Sequence, residues 1–109
     1  MKGMGGGMQQ MLRQANQMQR KMEKLQEELN EKEYTATAGG DGIKVTVKGS
    51  NTLVKIDIHE DLEKDGDLEM ITDLIMAASN EALKTAKADH DQEMSKITGG
   101  MGGLLGGMM

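Results

Sequence analysis

Three basic side chains near the start of the chain, Arg13, Arg20 and Lys24, recur at helical spacing. On a helix rising 1.5 Å per residue they would span about 16 Å along one stripe, so they could reach successive phosphates of a nucleic-acid backbone. Charge alone leaves two readings open, a solvated helix face and a nucleic-acid contact. Other chemistry has weaker support. Six carboxylates between Asp57 and Asp67 miss the calcium-loop pattern, which needs alternating ligands, a central glycine and a glutamate at the twelfth position. His59 and His90 lie on different elements without a ligand cluster and read as surface or interface histidines. Gly39-Gly40-Asp41-Gly42 lacks the Lys-Ser/Thr of a phosphate loop and suits a hairpin turn instead. Twelve methionines could offer soft ligands to Cu(I), yet Met8, Met11, Met18 and Met22 share a helical seam, where methionine acts as adaptable packing. There is no nucleophile elbow and no paired acid and base, so neither an enzyme nor a metal, cofactor or small-molecule substrate is expected.

The overall charge of −5 over 109 residues does not suit a bulk nucleic-acid binder, but it hides a gradient. Residues 1–24 carry Lys2, Arg13, Arg20, Lys21 and Lys24 against Glu23 alone, and the rest of the chain is strongly acidic. The sequence therefore reads as a basic arm on an acidic body. Tyr34 is its single aromatic residue, and Phe, Trp and Pro are absent. A core of Ile, Leu, Val, Met and Ala alone is thin for a monomer. Without cysteine there are no disulfides, which is compatible with a reducing compartment. Met1–Met8 has no apolar leader pattern and the terminal Gly-Leu-Leu-Gly-Gly-Met-Met is too short to span a bilayer, so a cytoplasmic protein without membrane contact is expected.

These residues must be positioned by a small set of elements. Ile43, Val45 and Val47 alternate with Lys44, Thr46 and Lys48, and the pattern returns as Val54, Ile56 and Ile58 against Lys55 and Asp57. With Tyr34–Ala38 upstream, this predicts a three-stranded antiparallel meander. Before it, Met8, Met11, Ala15, Met18, Met22, Leu25 and Leu29 form a heptad seam that needs a partner, on a helix from about Met8 to Glu33 that should protrude. After it, His59–Asp67 reads as an acidic connector with Asp67 as a helix N-cap. Leu68, Ile71, Leu74, Ile75, Ala78 and Ala82 then form a sheet-covering face. Leu83, Ala86, His90, Met94 and Ile97 continue about 100° further round, so the first half of this helix should cover the sheet and the second should meet another helix. Residues 1–7 and 99–109 are expected as flexible glycine- and methionine-rich ends flanking a single domain at 8–98. The glycines of the first should prevent helix propagation, and Gly99-Gly100 should stop the last helix.

An ordered set of segments resembles the YbaB/EbfC family of bacterial nucleoid-associated proteins. Gln14-Ala15-Asn16-Gln17-Met18-Gln19 with Lys21-Met22 and Gln26-Glu27-Glu28-Leu29 is similar to the family's first helix. Gly42 with Val45-Thr46-Val47 and Gly49 is similar to its sheet. Glu69, Asp73-Leu74-Ile75, Ala77-Ala78, Asn80-Glu81-Ala82, Met94 and Ile97-Thr98-Gly99-Gly100-Met101 resemble its second helix. The resemblance implies an α+β fold of helix, three-stranded antiparallel meander and helix, assembled as a tweezer-like homodimer with projecting helices. It also implies binding of double-stranded DNA mainly through backbone contacts, largely indifferent to sequence or only mildly selective, to organise the nucleoid or affect gene expression. The DNA-contacting role falls on Arg13, Arg20, Lys21 and Lys24 of the first helix, and on Lys84 and Lys87 of the second. The same outline of long helix, hairpins and long helix also resembles prefoldin-like coiled-coil chaperones, and a scaffold for a protein partner is a third reading.

Overall fold

Strict alternation over Ile43–Lys48 produces the central strand of the sheet. The computed structural model describes the backbone of residues 2–108 and the side chains of residues 7–99. The order is α1 (Lys2–Glu31), β1 (Glu33–Ala38), β2 (Ile43–Lys48), β3 (Thr52–Ile58), α2 (Glu60–Asp65) and α3 (Leu68–Met108). The sheet is an antiparallel meander in the order β1-β2-β3. Gly39 and Gly40, at φ of 63° and 66°, make the left-handed turn that joins β1 to β2, a conformation glycine adopts without steric cost.

Tyr34, Ala36 and Ala38 of β1 and Ile43, Val45 and Val47 of β2 point to one face, where Ile71, Ala78, Ala82 and Ala86 of α3 complete the core. Thr35, Thr37, Lys44 and Lys48 carry the opposite side chains, so this is a two-layer α+β fold. α3 lies over β1 and β2. Apolar residues of β3 stay open, with Leu53 at 52% and Ile56 at 41% exposure. The expected set of Val54, Ile56 and Ile58 is broken by a register shift: Ile58 and Ile56 pair with Ile43 and Val45, but Leu53 pairs with Val47. Val54 is the extra residue of a bulge, which offsets the alternation by one.

The first helix protrudes as its length requires, and the molecule measures 78 × 27 × 16 Å. The partner of its seam is the second half of α3. Met18, Met22 and Leu25 are half-buried and Leu29 is buried, while Leu83, Ala86, His90, Met94 and Ile97 opposite are buried or half-buried. Gln26 meets His90 while Met18 lines a groove with Ile97, so the two helices run antiparallel. The early seam stays open, with Met8 and Met11 at 68% and 70% exposure.

Three further expectations need correction. His59–Asp67 is more than a connector: its middle forms the short helix α2, N-capped by His59, whose Nδ1 accepts from the Asp61 amide, and ended by Gly66 at φ 68°. Six residues are too few to display a helical period. Asp67 does cap α3, accepting from the Met70 amide at 3.1 Å, but Leu68 does not join the sheet-covering face and remains exposed. Finally, the helical backbone begins at Lys2 and runs to Met108, so neither glycine run ends its helix. A glycine costs a helix about 1 kcal/mol relative to alanine, which weakens the helix without forbidding its geometry. The side chains of these ends, expected as flexible segments, lie outside those described.

Two contacts fasten the arm to the sheet. At Gly49 the β2–β3 turn meets the end of α1: its amide donates to the Lys32 carbonyl at 2.9 Å, and the Ser50 amide donates to the Asn30 carbonyl at 3.3 Å. A Cβ on Gly49 would fall 1.8 Å from the Leu29 carbonyl oxygen, which is backbone and cannot swing aside. On the other side of α3, the Tyr34 hydroxyl donates to Asp89 at 2.5 Å and Lys32 pairs with the same carboxylate oxygen at 2.8 Å. The hydrogen bonds from Lys32 and then Tyr34 hold the Asp89 carboxyl below its usual range. Burial and the Asp89 bond push the Tyr34 phenol up to about 12.

Gly49→Ala is expected to destabilise the protein by about 2–3 kcal/mol, as for overpacked sites, read from the denaturant midpoint. The Tyr34 phenol has a higher pKa folded than its unfolded value of about 10, so its contribution is complete below about pH 10 and fades as pH rises toward 12. Tyr34→Phe should therefore cost about 1–2 kcal/mol at neutral pH and should flatten the loss of stability above about pH 10. Urea titrations of both proteins at a series of alkaline pH values test this.

Candidate nucleic-acid interface

Arg13, Arg20, Lys21 and Lys24 are all exposed on α1. At roughly 100° per residue, Arg13, Arg20 and Lys24 fall within about 40° of one another, on the side of α1 turned away from the Met18–Met22–Leu25–Leu29 seam. The seam is therefore what aims them: packing it on α3 leaves this stripe to solvent. Among the described residues, none of the four lies within ion-pair distance of a carboxylate, whereas Lys32, Lys48, Lys55 and Lys96 are paired to Asp89, Glu31, Asp57 and Glu93. Lys32, Lys48 and Lys55 at the sheet are thus matched by nearby acids, whereas Arg13, Arg20, Lys21 and Lys24 on α1 are not.

Lys21 turns toward the flank of the helix pair, lining a shallow groove with Gln14, Gln17, Met18, Lys96 and Ile97. Lys96 was not singled out from the sequence, and the only signal for it would have been its packing opposite α1. Its ammonium is 3.0 Å from Glu93. Lys84 and Lys87 are also exposed but do not join this group. They line a separate open groove of about 930 Å³ at the base of the arm, with Gln26, Asn30, Asn80 and the Gly49–Asn51 turn. The His90 ring donates from Nε2 to the Gln26 side-chain oxygen at 2.7 Å, and the Gln26 amide donates on to Asn30 at 2.8 Å. His90 is thus an interface histidine that ties α3 to α1 beside this groove.

The chemistry on offer is cationic and hydrogen-bonding, the set that contacts phosphate and sugar. Among the described residues, no three His, Asp or Glu side chains converge in a way that could hold a metal ion, and no helix is long and apolar enough to cross a membrane.

Residues 4–101 match the model of the YbaB/EbfC DNA-binding family. The chain is 46% identical over 101 residues to a nucleoid-associated protein of Clostridium novyi, covering 91% of this chain and 89% of that one. It is 45% identical to a nucleoid-associated protein of Acetivibrio thermocellus, with 95% and 92% covered. The fold is similar to the crystal structure of an uncharacterized Helicobacter pylori protein, with a TM-score of 0.65 at 22% identity, covering 76% of this chain and 87% of that one.

Proposed function

The chain belongs to the YbaB/EbfC DNA-binding family, which is not an enzyme family, and from that premise we propose that it binds double-stranded DNA through the phosphate backbone as a homodimer. Its place is then on the nucleoid, with which the names of its relatives associate them. The observation that carries this reading is the stripe of Arg13, Arg20 and Lys24, exposed and without an ion-pair partner among the described residues, on an arm that projects from an acidic body. The spacing suits grip rather than base readout, since phosphate contacts fix position without reading sequence.

Homodimer formation is supported by the side of the sheet that α3 leaves open. Leu53 and Ile56 of β3, at 52% and 41% exposure, are large apolar side chains left partly uncovered within the chain. A second copy would bury them and the unpaired edge of β3 together. The coiled-coil chaperone reading fits less well, because the first half of α3 lies on the sheet and only its second half pairs with α1.

Sedimentation equilibrium at micromolar concentration should give twice the 11.8 kDa of the chain; a folded species of single mass would remove the homodimer. Changing Arg13, Arg20 and Lys24 together to Gln should weaken binding to all duplexes alike. It should also flatten the slope of log K against log salt by about 0.9 for each phosphate that the variant no longer neutralises. An unchanged affinity and slope, with the protein folded and its association state intact, would move the DNA site off α1.

A further inference from the structure

The basic side chains occupy two flanks of the arm, and the flanks face different ways. The α1–α3 pair has a groove on each side of its seam. One holds Lys21 with Gln14 and Gln17, the other holds Lys84 and Lys87 with Gln26 and Asn30. Projected at roughly 100° per residue, Gln26 and Asn30 lie about 140–180° around α1 from Lys21, so the two grooves open on opposite sides. Arg13 and Lys24 lean to the Lys21 side, and Arg20 sits at the back of α1 about equally far from both grooves. No turn of the arm presents both basic groups to one surface.

A single duplex cannot reach both grooves. Two packed helices, each about 10–12 Å across with side chains, make an arm roughly 20 Å wide, too broad to enter a major groove about 12 Å wide. DNA with a persistence length of about 50 nm does not fold around so small an object without large bending cost. One flank per duplex is the geometric limit.

The groove at the base has the chemistry of a backbone site in its own right. Lys84 and Lys87 are exposed, and among the described residues neither has a carboxylate within ion-pair distance. Around them stand Asn80, Ser50 and Asn51, neutral hydrogen-bonding side chains of the kind that supplement lysine at phosphates. Asp91 is the one acid on the lining, and its Oδ1 lies 3.3 Å from the His90 ring.

Resting on the duplex-binding reading above, we propose that the Lys84–Lys87 groove is a second phosphate-backbone site, so that one protomer holds two duplex segments, one on each flank of its arm. The protein is then a DNA bridge as well as a DNA ligand, and the α1 stripe supplies most of the affinity for the first segment.

The test is a bridging assay in which bead-bound duplex captures a second, fluorescent duplex through the full-length protein. Single-duplex affinity, circular dichroism and sedimentation are measured alongside. Lys84→Gln with Lys87→Gln should lower capture of the second duplex at least about tenfold more than it lowers single-duplex affinity, because the second segment loses all its charge partners while the first keeps the α1 stripe. Arg13→Gln with Arg20→Gln and Lys24→Gln should lower both readouts. Wild-type capture by the lysine variant would overturn the second site, since bridging would then come from the α1 flanks of two protomers. Single-duplex binding by wild type without any capture would overturn it too and leave the duplex-binding reading standing. No duplex binding by wild type would overturn that reading and this one together.

Discussion

Ala78, Ala82 and Ala86 of α3 lie in one core with Ile43, Val45 and Val47 of β2, all six at 2% exposure or less. A methyl group is the smallest side chain that still excludes water, so an alanine face lets a helix axis approach a sheet closely. The branched residues of β2 supply the bulk that the alanines lack. This matters because α3 is a single helix with two tasks. Its first half is fixed on the sheet, and its second half forms the partner along which α1 packs. The direction of the arm is therefore set by the same contact that makes the core. Tyr34 and Lys32, both bonded to Asp89, brace that helix where it passes from one task to the other. The β2–β3 turn at Gly49 braces the end of α1.

Charge follows the same division. Some of the acidic side chains are matched to lysines, as in Lys32–Asp89 and Lys48–Glu31. Exposed pairs of this kind stabilise little, about 0–1 kcal/mol each. Their consequence is distribution rather than strength: pairing on the body leaves the unpaired cations concentrated on the helices. An acidic body also repels a polyanion, so under the proposed reading attraction is confined to the arm although the chain as a whole is negative.

Much of this could be read from local periodicity. The strands announced themselves through alternation and the seam through its heptads, because burial on one face writes a period into the sequence. A change of face within α3 was readable too, although Ala86, expected on the second stripe, still lies in the sheet core. What local pattern could not supply was the order of contacts between elements. The bulge at Val54 depends on how β3 meets β2, and α2 is shorter than two helical turns. The need for glycine at position 49 comes from the carbonyl of Leu29, far away in sequence. For the candidate site, the residue types were legible and their exposure on α1 followed from the seam. That Lys84 and Lys87 face away from the α1 stripe was not, because a helical projection gives angles within one helix and no angle between two.

The thin core has a structural consequence of its own. With one aromatic residue in the chain, each layer contributes only aliphatic bulk, and α3 is too narrow to cover three strands. It covers β1 and β2, which leaves the apolar side chains of β3 beside an unpaired strand edge. Exposed apolar surface joined to free backbone donors and acceptors is a template for another strand or helix, and proteins keep such edges covered or broken. Here the bulge at Val54 interrupts the ladder, which disfavours indefinite edge-to-edge pairing while leaving Leu53 and Ile56 available to a partner of fixed geometry. A closed two-fold assembly satisfies that constraint, because it buries the same patch on both copies and leaves none to propagate. Within the chain the arm is already packed along its own seam on α3, so the patch on β3 is separate from the contacts that hold the arm.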